Sequence, residues 1–244
     1  MRNVVLRPGS SGPFVRDLQL ALNSRLNPSP NLIVNGLVTP QTQAALRSFQ
    51  RANWLEEDGI AGPCTLDALH DTEASRPIQH NVQYIAQPTP HTGWAAAIAM
   101  LKGIGIGAVQ FSTPKALLDP AGGLLGQSER GGVSDVHLEL ARALGLKYAP
   151  PQAWPVATLI GKLLRGPVVM VLKSPMRGPG RTKTGNSPYI VIVGTRGSHA
   201  ADGNSTTLRV YDPTPDRSGG GIYSATYAKL LQERSLTAYG LLTL

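Results

Sequence analysis

The chain has 244 residues, enough for one large domain or two small ones with a buried core. Its 23 Lys and Arg residues against 15 Asp and Glu residues give a formal net charge of +8, which favours anionic partners such as wall polymers, lipid headgroups or nucleic acid. An aromatic content of 5% and the lack of a recognisable reading helix argue against nucleic acid, and we expect none to bind.

The chain contains a single cysteine, Cys64, which excludes an intramolecular disulfide and a thiolate metal cluster. We therefore expect neither a metal nor another cofactor. No apolar run reaches the ~18 residues that predict a membrane span. The first residues also lack the apolar segment of roughly 7–15 residues that a secretory signal carries. We expect a protein that is cytoplasmic before export and reaches the envelope, the periplasm or the medium without a Sec signal. The alternatives are that it stays inside, or that a leader precedes this sequence.

A short internal repeat organises the first part of the chain. The segment 35–46 aligns with the segment 58–69, and each copy predicts a turn that leads into a helix. Asn35-Gly36 and Asp58-Gly59 predict the turns, because glycine adopts positive φ without penalty and Asn or Asp bonds its own backbone. The proline in each copy suits a first helical turn, where no N–H is needed. The shared positions are Gly36/Gly59, Pro40/Pro63, Thr42/Thr65, Ala45/Ala68 and Leu46/Leu69.

Helical spacing predicts two further features around this repeat. A first amphipathic helix has apolar positions Val15, Leu18, Leu22 and, after a break, Leu26, with Asp17, Gln19 and Arg25 predicted on its outer face. A second helix is predicted from about Thr39 to Ala52, with Ala45, Leu46 and Phe49 facing inward. Three helices with two glycine turns would form a compact module.

Residues 4–70 resemble the peptidoglycan-binding domain family of short three-helix modules that are appended to wall hydrolases. The resemblance implies a helical fold and binding to peptidoglycan or another wall polymer. Most matching residues are core or turn positions, so they specify the fold and not a ligand site, and a plain protein-docking role is the alternative. Cys64 falls at a variable position and is interpreted as an inert small residue. The matching residues are Leu6, Gly9, Gly12, Val15, Leu18, Gln19, Leu22, Asn23, Asn35, Gly36, Thr42, Ala45, Phe49, Gln50, Leu55, Asp58, Gly59, Ile60, Gly62, Pro63, Thr65 and Leu69.

A polar segment with Pro77 breaks the helical pattern after this module and marks a boundary. We predict a first domain over 1–72, a linker over 73–81 and a second domain over 82–244. The second domain is predicted to contain helices followed by an antiparallel sheet, so the fold class is α+β. Its predicted elements are an extended entry at 82–87, a buried helix at 93–105, helices at 134–146 (with Ser134 as N-cap) and 155–166, and strands at 167–173, 188–194, 206–213 and 237–244. The Gly-rich segment 121–132 and the basic segment 173–183 are predicted loops.

Three stretches stand out in this half: 87-QPTPHTGWAAAIAM-100, 187-SPYIVIVG-194 and 210-VYDPTP-215. Together they resemble the papain-like cysteine peptidases, in particular a bacterial branch, and the resemblance covers about residues 80–244. In that family a Cys opens a helix whose N-terminus favours its thiolate form. A His is the base, an Asn or Asp orients it, and an upstream Gln donates to the oxyanion.

The resemblance carries over unevenly to this chain. Gln87 matches the oxyanion donor, Trp94 the aromatic residue after the nucleophile, and Asp212 the orienting carboxylate. Gly93 stands where the Cys belongs, and Pro188 stands where the His belongs. Two required groups are missing, so we predict a pseudoenzyme that is wall-bound through its first domain and acts as a binding, targeting or structural protein. By analogy, such chains resemble accessory proteins of contractile secretion systems or phage lysis modules.

Two uses of the former site stay open. Gln87 and Asp212 are either fold elements, or they line a retained cleft in which Gly93 leaves room for a peptide of a protein partner. The candidate cleft consists of Gln87, His91, Thr92, Gly93, Trp94 and Asp212. The rival functions are a hydrolase of peptide or wall amide bonds that uses substitute residues such as Thr92 and His91, and an adaptor whose two halves only dock proteins.

Overall fold

A computed structural model describes residues 4–70, 77–125, 135–172, 188–197, 203–215, 221–234 and 236–244. The structure divides into two compact units. The first unit joins Met1–Ile78 to two later segments, Thr195–Arg209 and Tyr223–Leu230. The second unit comprises Gln79–Gly194, Val210–Ile222 and Leu231–Leu244. The first unit is therefore discontinuous in sequence, a feature that the repeat did not reveal.

The first unit begins with three helices, α1 (Pro13–Arg25), α2 (Pro40–Ala52) and α3 (Pro63–Leu69). Each helix starts with a proline, as the repeat predicted for the second and third. The turns before α2 and α3 contain Gly36 at φ 77° and Gly59 at φ 74°, which confirms the need for glycine at these two positions. Paired bridges between Leu6 and Ala61 and between Ser11 and Leu37 tie the loops together.

Two buried glutamines hold the two copies of the repeat in the same way. The amide nitrogen of Gln19 donates to Asn35 Oδ1 at 3.0 Å, to the Leu37 carbonyl at 2.9 Å and to Thr42 Oγ1 at 3.3 Å, and its oxygen accepts from the Gly36 N–H at 2.9 Å. Gln19 is 1% exposed, so its predicted place on the outer face of α1 is wrong. The prediction placed Gln19 on the outer face because glutamine is a polar residue. Its four hydrogen bonds compensate the cost of burying its amide.

Gln50 repeats this arrangement in the second copy. Its amide donates to Asp58 Oδ1 at 2.8 Å, to the Ile60 carbonyl at 3.0 Å and to Thr65 Oγ1 at 3.3 Å, and its oxygen accepts from the Gly59 N–H at 2.9 Å. The internal repeat is therefore structural as well as sequential, because each copy contains a turn that is held by a buried glutamine. The apolar core beneath includes Val15, Leu18, Leu22, Leu46, Phe49, Leu55 and Leu69.

Polar side chains of the later segments of this unit contact the end of α2. Arg196, which is 7% exposed, donates to the Asn53 carbonyl at 3.0 Å and to Asn53 Oδ1 at 3.1 Å. The Arg209 guanidinium lies 5.5 Å from the ring centroid of Trp54, and Lys229 forms an ion pair with Glu56. These contacts explain why the later segments belong to the first unit.

The described chain from residue 77 onward combines helices with a largely antiparallel sheet, which confirms the α+β prediction, although its first two strands precede its last helices. In chain order the elements are β1 (Ile78–Gln79), α4 (Gly93–Lys102), α5 (Ile106–Ser112), a 3-10 helix (Lys115–Leu117), α6 (Val136–Leu144), β2 (Lys147–Gln152), α7 (Val156–Leu163), β3 (Val168–Leu172), β4 (Tyr189–Gly197), β5 (Thr206–Asp212), β6 (Gly221–Thr226), α8 (Tyr227–Glu233) and β7 (Tyr239–Thr243). The described strands form a sheet of order β2-β7-β3-β4-β5-β6, with β1 paired to β4.

The centre of this sheet is antiparallel. β3 pairs with β4 and with β7, and β7 pairs with β2, all in antiparallel register. Helix α4 is buried from Gly93 to Leu101 and packs with α5 and α6 on one face of the sheet. Its four alanines are buried, as expected for a helix in the core of this unit. Tyr189, Val191 and Val193 of β4 belong to the same core, which places them on the α4 side.

Several boundaries differ from the predicted ones. Asp135, whose carboxylate accepts from the His137 N–H, is the N-cap of α6, and not Ser134, which lies outside the described residues. Residues 78–79 of the predicted linker pair with β4 as β1, and the predicted extended entry at 82–87 forms no strand. The basic segment 173–183 and most of the Gly-rich loop lie outside the described residues. Over the part of the chain that the structure describes, no single helix is long and apolar enough to cross a membrane, although α4 and α5, bent by 105°, pass that test as a pair.

Candidate functional site

The N-terminal end of α4 is the centre of the candidate site. Thr92 caps the helix with φ −104° and ψ 13°, and Gly93 is its first residue. Thr92 is 4% exposed and its hydroxyl donates to the Thr89 carbonyl at 3.0 Å while it accepts from the Thr89 N–H at 3.2 Å. The hydroxyl proton is therefore held by a carbonyl oxygen, which cannot serve as a base.

His91 does not complete a substitute nucleophile. Its side chain is exposed, and within the described residues no hydrogen bond joins it to Thr92. A hydroxyl nucleophile needs an adjacent base within about 2.6–3.2 Å. The Thr92 and His91 pair proposed from the sequence lacks this geometry.

Trp94 is a core residue in the first turn of α4. It is 1% exposed, and its indole N–H donates to the Gly122 carbonyl at 3.0 Å. The bond ties the first turn of α4 to the loop that follows α5. Trp94 therefore positions the helix end, and its ring offers no surface to a ligand.

Gln87 is buried at the side of this helix end. It is 9% exposed, and its backbone N–H donates to the Pro213 carbonyl at 2.7 Å. Its side-chain oxygen is buried without a hydrogen-bond partner among the described residues. An unsatisfied buried amide costs about 1–3 kcal/mol, so Gln87 is retained at a cost to stability that a ligand or an ordered water would relieve.

Asp212 lies at the end of β5 and is fully buried. Its Oδ1 accepts from the Thr214 N–H at 2.9 Å, and its Oδ2 accepts from the Arg234 guanidinium at 2.6 Å. The Tyr84 hydroxyl donates to the Asp212 carbonyl at 3.0 Å, which holds the segment before Gln87 against the end of β5. The structure thus brings Gln87 and Asp212 together through adjoining backbone, and the Asp212 carboxylate is paired with Arg234.

Pro188 immediately precedes β4, which is a neighbour of β5 in the sheet. Pro188 is exposed, and its carbonyl accepts from the Leu172 N–H at 2.7 Å. It supplies no basic nitrogen at this place.

An imidazole does reach the start of β4, and the sequence reasoning gave it no role. His137 Nε2 lies 2.8 Å from the Tyr189 hydroxyl, and its Nδ1 lies 3.3 Å from Asp135 Oδ1. The Tyr148 ring stacks on the imidazole with centroids 5.7 Å apart. The Asp-x-His spacing at the start of α6 was the available signal, because an N-cap Asp and the residue two positions later lie side by side.

The electrostatics of this cluster favour its neutral form. Burial lowers the pKa of His137 below its usual value, against a smaller opposing effect of Asp135. Burial also raises the pKa of Tyr189 and of Tyr148. Transfer of the Tyr189 proton to His137 would create two charges in a buried place, so burial favours the neutral, hydrogen-bonded form of the cluster.

The described residues contain no group of three or more His, Cys, Asp or Glu side chains placed to hold a metal ion. The thiol of Cys64 is mostly buried, and burial raises its pKa to about 11. It lies in the first unit, beside Thr207, and is not part of the site around α4.

Comparison with known proteins defines the class of the first module. Residues 11–69 match the peptidoglycan binding domain family, which confirms the resemblance seen in the sequence. The chain therefore contains a peptidoglycan-binding domain of this family in its first part.

Two individual proteins are similar to parts of the chain. The zinc D-Ala-D-Ala carboxypeptidase of Streptomyces albus G is 32% identical over 90 residues, which are 37% of this chain and 35% of that protein. The chain thus spans about a third of the length of this relative. The crystal structure of the peptidase domain of Streptococcus ComA, a bifunctional ABC transporter involved in a quorum sensing pathway, is 14% identical with a TM-score of 0.39, over 67% of this chain and 98% of that domain.

Proposed function

We propose that this chain is a cell-wall-binding protein whose second half is a papain-like scaffold without hydrolytic activity. The first module binds peptidoglycan or a related wall polymer, and the protein acts at the cell envelope as a binding, targeting or structural component. The observation that carries the proposal is the contrast between the two halves: residues 11–69 match the peptidoglycan binding family, whereas Gly93 and Pro188 supply neither a nucleophile nor a base.

The wall-binding part rests on the first module. Residues 11–69 match the peptidoglycan binding family, and a buried glutamine holds the turn in each copy of the repeat. The similarity to a D-Ala-D-Ala carboxypeptidase also supports the proposal of wall binding, since that protein is named for a short D-peptide. A net charge of +8 adds a long-range attraction to anionic polymers.

The lack of hydrolysis rests on the residues around α4. Gly93 has no side chain to attack a carbonyl, and Pro188 has no nitrogen to take a proton. The Thr92 hydroxyl donates a hydrogen bond to the Thr89 carbonyl, and the Asp212 carboxylate accepts one from Arg234. A papain-like site works as one unit, so the loss of both groups removes the covalent route.

The first test is co-sedimentation of the full chain with purified sacculi. We expect retention in the pellet, and loss of retention in Phe49→Ala, because Phe49 is 3% exposed in the core of the module. The matched control is Phe111→Ala, which removes the same ring from a position that is 94% exposed, and it should sediment like the wild type. Circular dichroism shows whether the module is unfolded in Phe49→Ala. If an unfolded variant still sediments with the sacculi, wall binding resides in another part of the chain.

An active hydrolase with substitute residues is the alternative that one observation favours. Asp135, His137 and Tyr189 form a hydrogen-bonded chain of the kind that activates a hydroxyl nucleophile. The test is product release from peptides and sacculi by a pure preparation. Hydrolysis that disappears in both His137→Gln and Tyr189→Phe would establish this alternative, and no release by the wild type supports the pseudoenzyme.

A further inference from the structure

An arginine covers each of the two glycine turns in the first module. Arg16 on α1 and Arg47 on α2 each stand three positions before the buried glutamine that binds the turn. A Cβ added at Gly36 would lie 3.1 Å from Arg16 Nε, and one added at Gly59 would lie 3.0 Å from Arg47 Nε. Each arginine side chain therefore lies directly over its turn.

The two arginines differ in what they bind. Arg47 Nη1 donates to the Glu57 carbonyl beside the second turn. Arg16, in contrast, is exposed and forms no hydrogen bond or ion pair with any residue that the structure describes. The neighbouring Asp17 lies on another side of α1, where it lines a shallow depression with residues of α3. The charge of Arg16 is therefore available to a ligand.

The two turns also differ in charge. The first turn has the sequence 33-IVNGL-37, and the second has 56-EEDGI-60. Three carboxylates of the second turn thus correspond to uncharged residues in the first. Both glutamates of the second turn form ion pairs within the first unit, with Lys229 and with Arg51. The acids of the second turn are thus used within their own unit, whereas the first turn contains no acid that could neutralise Arg16.

Three aliphatic side chains of the first turn are exposed to solvent. Ile33 is 75% exposed, Leu37 is 50% exposed and Val34 is 37% exposed. The turn that carries them is held by Gln19, which binds the Gly36 N–H and the Leu37 carbonyl. The backbone of the turn is therefore ordered before a ligand arrives, which lowers the entropic cost of binding.

The fold of the turn does not require these features. The second turn reaches the same geometry, since its glycine has φ 74° against 77° in the first turn. It does so with glutamates in place of Ile33 and Val34. An arginine stem can shield the backbone of a turn, as Arg47 does, but shielding does not explain a guanidinium without an acceptor. Single exposed aliphatic residues are ordinary, whereas three within five residues beside an unpaired cation form a small amphipathic surface.

This combination of groups defines the chemistry of the ligand. A guanidinium binds a carboxylate through two parallel N–H···O hydrogen bonds, and aliphatic side chains favour small alkyl groups. The carboxyl-terminal end of a short peptide with small aliphatic side chains offers both. A polymer of phosphate and polyol would match the guanidinium but would leave the aliphatic side chains in contact with hydroxyl groups.

We propose that the first turn binds the carboxyl-terminal end of a cell-wall peptide. Arg16 binds the terminal carboxylate, and Ile33, Val34 and Leu37 contact the small side chains of the last residues. This site rests on the function proposed above, since it is the place where the first module would recognise the wall. The second turn, with its glutamates, has no part in it.

The experiment is ligand-observed saturation-transfer NMR of the full chain with acetyl-D-Ala-D-Ala, a dipeptide acid with two methyl side chains. The acetyl methyl protons are the reporter. We expect saturable binding of the acid. The C-terminal amide should bind at least about tenfold more weakly, which corresponds to about 1.4 kcal/mol for the lost charge-assisted contact. Acetyl-Gly-Gly, which keeps the carboxylate but lacks both methyl side chains, should also bind several-fold more weakly than acetyl-D-Ala-D-Ala.

Variants of the first turn locate the site. Arg16→Gln should weaken binding of the acid at least about tenfold. Ile33→Glu/Val34→Glu gives the first turn the glutamates of the second and should weaken binding by at least as much, because the new carboxylates repel that of the ligand. The matched control is Arg47→Gln, at the equivalent place over the second turn, and it should bind like the wild type. Circular dichroism verifies that each variant is folded.

The site is overturned by equal binding of the acid and the amide, by the lack of saturable binding, or by unchanged affinity of Arg16→Gln. Displacement of the dipeptide by an equal concentration of inorganic phosphate, at constant ionic strength, would overturn the peptide as ligand and point to a phosphate polymer. Co-sedimentation with sacculi separates the site from the function on which it rests. A chain that sediments but fails with the dipeptide overturns only the site, whereas a chain that does not sediment overturns wall binding itself.

Discussion

Gln19 and Gln50 occupy equivalent places in the two copies of the repeat, and each binds one glycine N–H and three acceptors of its turn. Both side chains are 1% exposed. The module is therefore stabilised by two polar centres in addition to its apolar core. Their replacement leaves buried donors and acceptors unpaired, which is more costly than the loss of an exposed hydrogen bond.

We predict that Gln50→Leu lowers the free energy of unfolding of the module by about 2–4 kcal/mol, because the Gly59 N–H and the Thr65 hydroxyl lose their partner in the interior. Gln19→Leu should have a similar effect. Urea denaturation measures both. Gln41→Leu, on the exposed side of α2, is the control and should change stability by less than ~0.5 kcal/mol. Equal effects of Gln41→Leu and Gln50→Leu would contradict the role of the buried amide.

A second prediction concerns the buried ion pair. Arg234→Met should destabilise the protein by about 3–5 kcal/mol, because it leaves the fully buried Asp212 carboxylate without its cation. Arg234→Met/Asp212→Leu should recover much of this loss, since neither charge then remains. The control is Arg51→Met, which breaks an exposed pair with Glu57 and should cost at most about 1 kcal/mol. Thermal unfolding decides between the outcomes, and a harmless Arg234→Met would refute the prediction.

The pH dependence of stability should report on His137. Its pKa in the folded protein lies below the value of the unfolded chain, so between these two values the unfolded state binds more protons. The contribution of neutral His137 is therefore fully present above about pH 6.5 and is lost as the pH falls through the folded pKa. Urea midpoints of wild type and His137→Gln should differ most above about pH 6.5 and converge as the pH falls below that value. His91→Gln, at an exposed position, should follow the wild-type profile.

Cys64 should be a slow thiol. Its pKa is raised to about 11 by burial, so its thiolate fraction at pH 8 is on the order of 10⁻³. We expect labelling by a disulfide reagent at pH 8 to be slower than that of a free cysteine by about 10²-fold or more, and to become fast in urea. Rapid labelling of the folded chain would contradict the raised pKa of this thiol.

The proposed lack of hydrolytic activity can be probed by introducing the two groups that papain-like peptidases carry. Gly93→Cys alone should remain inactive because no imidazole is available to accept its proton. Gly93→Cys/Pro188→His should exceed the single variant in peptide hydrolysis by about 10²-fold or more, the usual contribution of a general base. A fluorogenic peptide assay measures this difference. Inactivity of a folded double variant would show that the cleft no longer has papain-like geometry.

Elements with a strong local pattern were predictable from the sequence. The repeat predicted α2, α3 and both glycine turns, and the apolar runs predicted β3, β4, β5 and β7. β2 was missed because its sequence KYAPPQ contains two prolines, which normally argue against a strand and are tolerated here at the sheet edge. The short strand β6 and helix α8 also carried no clear signal.

Polar residues were less predictable than apolar ones. Gln19 was predicted on the outer face of α1 because its side chain is polar. Its burial depends on a turn that lies more than ten residues away in the sequence. The partner of Asp212 is Arg234, which no motif links to it. His137 reaches Tyr189 only through the packing of α6 against β4. Long-range hydrogen bonds of this kind leave no periodic trace in the sequence.

The discontinuous first unit has a consequence for synthesis on the ribosome. Asn53 and Arg196 are 143 positions apart, and Glu56 and Lys229 are 173 apart. At the ~5–20 residues per second of translation, the helices emerge on the order of ten seconds before the strands that complete their unit. During that interval Trp54 is without Arg209, and the end of α2 is open to solvent. The contacts of the end of α2 with Arg196 and Lys229 can therefore form only after the last part of the chain has been made.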